Sequence, residues 1–542
     1  MPIIFALSIF LYIISLVFTI FDINHASRYL IFSLHIASVV NIAIYYVKHN
    51  INKKILHKAF YEKELMLFAI ALILVEFVSI NHIFDYPFVN AGDGVRDAGL
   101  DALKIANGTI TNFFRYGNYN GYGEIIPIIA SFFYSLFGSS VLTYRIPGAI
   151  IATVDVALLY LLLRLITNRT TAAIGAGVLA LFPLHMYYAR TELVVIFDSF
   201  WTTLLLLTFY LWVRKKRAID YVMLGTVIGM AANFHTAVRI VAIILALIVI
   251  VMEIKKRFKH LLLFTAFCLV GFGPLILASS PDNFLQKTRY APSSIQTLGE
   301  NYKKSLVVWF YEGTTSRYPL HKPILSVPLF IVFVIGICYS FFLKPRLFFA
   351  TLFIFVFVLP FTNSAMTDWI NADHRLIPLL PIAAIFIALG LKWITENTQS
   401  KLIKIIVFTT FISFLLFQTY QFFTKFPANN DKGIKDYLSM HIINLLKSQN
   451  DTTGNLCIVV SPENYKNLDF LHYKEQYQYF LPNANITIKK NAKINDSEAY
   501  VFRKSCPEDY KQASNIHTTL CSSKRTNYCP VDFIGEINIY TD

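Results

Sequence analysis

Long apolar runs separated by short polar stretches organise the chain of 542 residues. A helix rises 1.5 Å per residue and a bilayer core is about 30 Å thick, so a spanning helix needs about 20 mostly apolar residues. Such runs cover 2–21, 29–47, 65–84, 145–166, 171–188, 192–213, 260–279, 323–343, 346–362, 375–395 and 402–424. The run 221–252 is long enough for two shorter spans, hinged near Asn233 and His235. Segment 125–138 is too short to cross and is expected in or against the interface. The first run has no basic leader and no small-residue cleavage site, so it reads as a retained span rather than a signal peptide. The pattern predicts a polytopic α-helical membrane protein with about 13 transmembrane helices.

The pattern changes after residue 424. The tail 425–542 is polar, with short β-rich runs at 455–460, 486–490, 499–503 and 533–540 and a helical stretch at 466–480. It reads as a small soluble α/β domain of ordinary size. The expected division is 1–64 (two additional N-terminal spans and a loop), 65–424 (the main transmembrane domain) and 425–542 (the soluble domain).

Composition agrees: 56% hydrophobic and 15% charged residues exclude a disordered, collagenous or disulfide-miniprotein chain. The net charge of +15 would suggest nucleic acid in a soluble protein. Here Lys and Arg are expected in cytoplasmic loops instead, and no nucleic-acid partner is implied. With the N-terminus in the cytoplasm, the clusters 48–63, 164–169, 214–217, 255–259, 344–346 and 392–404 share one side only if 221–252 is two spans. That topology puts 85–144, 186–191, 280–322, 363–374 and 425–542 outside. Cys268 and Cys338 fall in spans and read as packing residues. Cys457, Cys506, Cys521 and Cys529 fall in the tail, where an oxidising compartment permits two disulfides with the pairing open.

Ionisable residues at membrane depth or at span ends are the candidates for chemistry. Asp93 directly follows a span, and Gly92 and Gly94 let the backbone bring its carboxylate close to a ligand. It could equally cap the helix expected over 94–107, which stops at Asn107-Gly108. Arg96 and Lys104 are eight residues apart and project to similar faces, with Asp97 between them. Arg190 and Glu192 lie between two spans, and Asp198 enters the next. Asp155 and Asp198 could each pair with Arg145, Arg190 or Arg239, and for Asp155 such pairing as structural glue is the expectation. His235 and Arg239 are four apart, a spacing that places them on one helix face where a phosphate could be held. His374 and Arg375 open a later span and face lipid headgroups or a lipid-borne phosphate. Loop 280–322 is basic on the outer side, which suits an anionic ligand. No Cys or His spacing matches a zinc site.

Several of these pieces recur in order: Phe88-Val-Asn-Ala-Gly-Asp93, then Pro127 to Leu136-Phe137-Gly138, then Arg145-Ile-Pro147. Pro183-Leu-His-Met-Tyr-Tyr-Ala-Arg190-Thr191, Gly229 to His235-Thr236-Ala-Val-Arg239, Trp309-Phe-Tyr-Glu-Gly313 and His374-Arg375-Leu-Ile-Pro378-Leu-Leu-Pro381 come after them. The ordered set, over roughly 65–395, resembles the GT-C integral-membrane glycosyltransferases that use polyprenyl-phosphate sugar donors, nearest the protein O-mannosyltransferase and lipid A aminoarabinose transferase branch. The resemblance implies a GT-C-like fold and Asp93 as the catalytic carboxylate, with Asp97 as a second acid. It implies Arg190, Arg239 and Arg375 as donor-phosphate or acceptor-side contacts, and Arg96, Lys104, Glu192, His235 and His374 join them as candidate donor-phosphate or substrate contacts from their own positions. Two departures stand out. The family often has Asp-Glu where this chain has Asp93-Gly94, and its aminoarabinose branch has a Lys where this chain has Ile125 or Ile126.

The expected chemistry is transfer of a sugar from a polyprenyl phosphate to an extracytoplasmic lipid, glycan or protein in the cell membrane. Cations would stabilise the leaving phosphate and Asp93 would act as general base on an inverting path. No cofactor is certain, and a divalent metal is possible. The competing readings are a polysaccharide ligase or polymerase with a diphosphate-linked donor, and a lipid or sugar transporter. No inverted repeat of broken helices supports the transporter.

Overall fold

A computed structural model of the chain describes residues 37, 98–110, 125–138, 141–191, 193–278, 294–311, 323–366 and 373–424, and five tail strands. The expected spans 2–21, 29–47 and 65–84 lie outside the described residues. So do Asp93, Arg96, Asp97, Glu192 and the tail helix expected at 466–480.

The helices, in chain order, are α1 Leu100–Ala106, α2 Ile125–Phe137, α3 Val141–Ile166, α4 Arg169–Leu181, α5 Pro183–Thr191, α6 Leu193–Lys215, α7 Ala218–Ala231 and α8 Thr236–Glu253. They continue with α9 Phe258–Ala278, α10 Ile295–Val307, α11 Val327–Ser340, α12 Arg346–Pro360, α13 Asp373–Leu376, α14 Leu379–Asn397 and α15 Lys401–Thr424. A π-turn, Phe361–Ala365, extends α12. Among the described residues six helices are long and apolar enough to cross a membrane, and α4 with α5 makes a seventh candidate if the bent pair is one span. The protein is therefore a polytopic helical membrane protein.

Local sequence explains the breaks. The run 171–188 is expected to be one helix; it is two, bent by 59°. Proline disfavours the helical region for the residue before it, and Phe182, before Pro183, is extended at φ −63°, ψ 123°. Asn168 starts α4 by accepting a hydrogen bond from the Thr171 amide at 2.9 Å. The hinge expected in 221–252 is present, since α7 ends at Ala231 and α8 begins at Thr236. Asn233 holds that turn, its amide donating to the carbonyls of Gly229, Met230 and, on α9, Gly271. The expected helix over 94–107 appears in its described part as α1, ended by Asn107 and by Gly108 at φ +72°.

Small residues set the closest crossings, as they do where helices pack without a hydrophobic drive from water. A side chain on Gly229 of α7 would collide with the Cys268 carbonyl of α9, and one on Gly271 with the Thr226 carbonyl. Gly336 of α11 lies against the Phe386 carbonyl of α14, and Gly390 against the Val332 carbonyl. α14 is buried continuously from Leu379 to Leu391, which marks it as the centre of the bundle. At one end, Lys216 pairs with buried Glu253 at 2.7 Å and Arg257 donates to the Lys216 carbonyl at 2.8 Å, joining the α6–α7 and α8–α9 turns.

The tail strands are β1 Thr453–Val460, β2 Asn483–Lys490, β3 Glu498–Phe502, β4 Ile516–Cys521 and β5 Gly535–Tyr540, in sheet order β2-β1-β3-β5-β4. β1 runs parallel to β2 and β3 parallel to β5; the β1–β3 and β4–β5 pairs are antiparallel. Each of the four expected runs overlaps a strand, and β4 is additional. Cys457 on β1 is disulfide-bonded, while Cys268 and Cys338 are free.

Candidate active site

The end of the bundle opposite Lys216 gathers polar side chains from distant parts of the chain. α6 begins there and carries Asp198, which is fully buried. The α7–α8 turn brings in His235, whose Nδ1 lies 2.7 Å from Asp198 Oδ2. His235 is 16% exposed while Asp198 is sealed, so the pair presents only the imidazole outward. The bond orients the ring, because the nitrogen facing Asp198 is committed to that partner. His374, on α13, brings its ring to within 6.0 Å of the His235 ring, centroid to centroid. Arg375 is next in the chain, half-buried.

His235 and Arg239 do not lie on one helical face as expected. His235 is extended at φ −63°, ψ 154° and precedes the helix, because α7 stops at Ala231 and the chain needs a turn before α8. Arg239 sits in the first turn of α8 and donates from Nε to the Ala232 carbonyl at 2.8 Å. That bond fastens the guanidinium back across the hinge. The site thus has a helix N-terminus with an imidazole at its cap and a guanidinium one turn in, groups of the kind that attract an anion.

The π-turn buttresses the same end. Asn363 donates to the Ala237 carbonyl of α8 at 3.3 Å. Packed on the π-turn is α10, with Ser305 bonded to Ser364 at 2.8 Å and Asn301 to the Ala365 carbonyl at 3.4 Å. π-helical turns often mark functional positions, since one extra residue re-aims the side chains beyond it.

The buried carboxylates Asp155 and Asp198 each have a histidine partner, which the sequence did not signal. Asp155 pairs with His185 at 3.3 Å. Arg145 is ten residues away on the same helix, roughly 15 Å along the axis, and is out of reach. The bend before Pro183 turns α5 so that His185 meets α3. Arg190, at the end of α5, is fully buried; its guanidinium lies 4.7 Å from the centroid of Phe423 and 5.9 Å from that of Phe422, both on α15. Lys104 lies on α1, which packs against α2. The structure therefore brings together two sequence candidates, His235 with Arg239 and His374 with Arg375. It joins to them Asp198, which the sequence placed with Arg190 instead, and adds Asn363 and Ser364, which sequence reasoning left out of the site. Their signal was a carboxylate six residues inside a span and a polar Thr-Asn-Ser run at the end of another. Among the described residues no three His, Cys, Asp or Glu side chains gather to hold a metal ion.

One end of the polytopic bundle thus brings the His235 and His374 rings together, with Arg239 and Arg375 close by in the chain. Residues 125–277, which carry Arg190, His235 and Arg239, match the family described as dolichyl-phosphate-mannose-protein mannosyltransferase. That match bears out the resemblance to GT-C glycosyltransferases that use polyprenyl phosphate. No curated protein sequence matches the chain. Among solved structures, ArnT from Cupriavidus metallidurans bound to undecaprenyl phosphate is similar at 13% identity and TM-score 0.46, over 77% of this chain and 76% of that one. The oligosaccharyltransferase of Archaeoglobus fulgidus in complex with zinc and sulfate is similar at 16% identity and TM-score 0.46, over 76% and 61%. AglB of the same organism, with an inhibitory peptide and a dolichol-phosphate, is similar at 15% identity and TM-score 0.45, over 76% and 60%. At that level these likenesses carry no assignment of function.

Proposed function

We propose that the protein is a membrane glycosyltransferase that moves a sugar from a polyprenyl-phosphate carrier to an extracytoplasmic acceptor. The observation that carries the reading is the His235–Asp198 pair beside Arg239 and His374-Arg375, inside and next to the segment that matches the mannosyltransferase family. The leaving group of such a donor is a lipid phosphate whose charge grows as the glycosidic bond breaks. Arg239, Arg375 and the amides opening α8 would bear that charge. His235, held by Asp198, would hydrogen-bond a phosphate oxygen without turning away. Arg190, Lys104, Arg96, Glu192 and His374 complete the donor side of the proposal.

On the acceptor side, Asp93 would take the proton of the attacking hydroxyl or amine, with Asp97 as a supporting acid. Attack opposite the phosphate inverts the anomeric centre. The described residues offer no metal cage, and no step here passes through a metal. The distribution of Lys and Arg supports an active site and a domain 425–542 outside the cytoplasm. The basic loop 280–322 would equally suit the diphosphate donor of a polysaccharide ligase. The test is transfer by the purified full chain from matched mono- and diphosphate sugar lipids. Turnover of the monophosphate supports the proposal, and turnover of the diphosphate alone replaces it with the ligase reading.

A further inference from the structure

α15 is attached to the bundle differently from the other long helices. Only 11% of its span-length window is buried, against 78% for α6. Leu402, Ile405, Phe408, Ile412, Leu416 and Tyr420 are exposed. Its inner face is the stripe Phe411, Leu415 and Phe422, spaced four and seven apart as one side of a helix requires. The attachment is thus concentrated at the end that leads into the tail. There Phe422 is fully buried, and with Phe423 it lies over the guanidinium of Arg190. On the other flank, the Ala189 carbonyl abuts Gly148 of α3, where any added side chain would collide.

We propose that Phe422 and Phe423 are positioning residues for Arg190 as a donor contact. This rests on the reading of Arg190 as a donor contact. An aromatic face attracts the flat face of a guanidinium, more strongly where water is excluded. Stacking on an aromatic face fixes the plane of a guanidinium and leaves its in-plane N–H donors able to bond, the geometry that suits phosphate oxygens. Two rings at the mouth of the tail therefore set the orientation of a cation that the sequence separates from them by more than 200 residues. Phe422 and Phe423 touch neither sugar nor phosphate in this scheme.

The experiment is a double-mutant cycle on the full chain, reading KM for a polyprenyl-phosphate sugar and kcat separately. The variants are Phe422→Leu/Phe423→Leu, Arg190→Gln and their combination, with Phe423→Tyr as the conservative change. Loss of a desolvated cation–ring contact is worth about tenfold. The proposal expects the leucine pair to raise the donor KM about tenfold with kcat little changed, Phe423→Tyr to stay near wild type, and the leucine pair to add nothing once Arg190 is Gln. If the leucine pair does not fold, Phe423→Leu alone enters the same cycle with the same expectations. An equal effect of the leucine change with and without Arg190 would overturn the proposal, because the rings would then act through packing alone. A weakened donor in Arg190→Gln with a silent leucine pair would also overturn it while sparing the donor role of Arg190. A silent Arg190→Gln would remove that role and the proposal together.

Discussion

Replacing Asp198 by Ala removes the acceptor that His235 faces at 2.7 Å. A hydrogen bond involving a charged group contributes about 1.5–3 kcal/mol, and a buried donor left without an acceptor costs about 1–3 kcal/mol. His235 keeps 16% exposure, so water relieves only part of that cost, and the expected loss is about 2 kcal/mol. One kcal/mol moves the midpoint of a 150–250-residue domain by roughly 2–4 °C, so the unfolding midpoint should fall by a few degrees. Asp198→Asn retains an oxygen acceptor without the charge and should lose about 1 kcal/mol. Thermal unfolding of the purified full chain in detergent reads both variants. A cycle with His235→Ala isolates the pair, for which residues in direct contact give coupling of about 0.5–3 kcal/mol. The same variants should weaken polyprenyl-phosphate binding, since the imidazole loses its fixed orientation. Strictly additive effects in the cycle, together with unchanged lipid affinity in Asp198→Ala, would refute the reasoning.

The crossing of α11 and α14 makes a second test. Gly336→Ala places a methyl against the Phe386 carbonyl and should destabilise by about 1–3 kcal/mol, whereas Gly177→Ala, with open space at that position, should be neutral or slightly stabilising. Equal melting temperatures for the two variants would contradict the close crossing. Alkylation of unreduced, denatured protein should label Cys268 and Cys338 and leave Cys457 unlabelled. Mass-spectrometric detection of an alkylated Cys457 would count against its disulfide.

Hydropathy made six spans from 143 onward legible among the described residues, because membrane burial demands apolar runs of fixed length, while the runs expected at 260–279 and 323–343 are not among those six. The α7–α8 hinge was readable too, since Asn233 and His235 interrupt such a run. The break in 171–188 was not read, although Pro183 signals it: average hydropathy is blind to the extended backbone that proline imposes on Phe182. β4 escaped because Ile516-His-Thr-Thr-Leu-Cys521 is polar enough to pass for a loop until β5 pairs with it. Within the site, charge identified His235 with Arg239 and His374 with Arg375 as two separate pairs. Their meeting depends on the packing of α8 against α13 and the π-turn, which no local spacing encodes. The histidine partners of Asp155 and Asp198 are 30 and 37 residues away, and the rings over Arg190 are farther still. Long-range contacts of that kind come from the fold.

Sugar transfer by the Asp93→Asn variant tests the central claim most directly. The full chain would be given a polyprenyl-phosphate sugar, and release of polyprenyl phosphate measured alongside binding of the donor. Asparagine keeps the size of the side chain but cannot take a proton from the acceptor. Loss of one positioned base costs about 10²–10⁴-fold in rate. The account predicts that Asp93→Asn binds the donor as wild type does and transfers sugar at least about a hundredfold more slowly, with Asp97→Asn affected less. Near wild-type turnover by Asp93→Asn would contradict it.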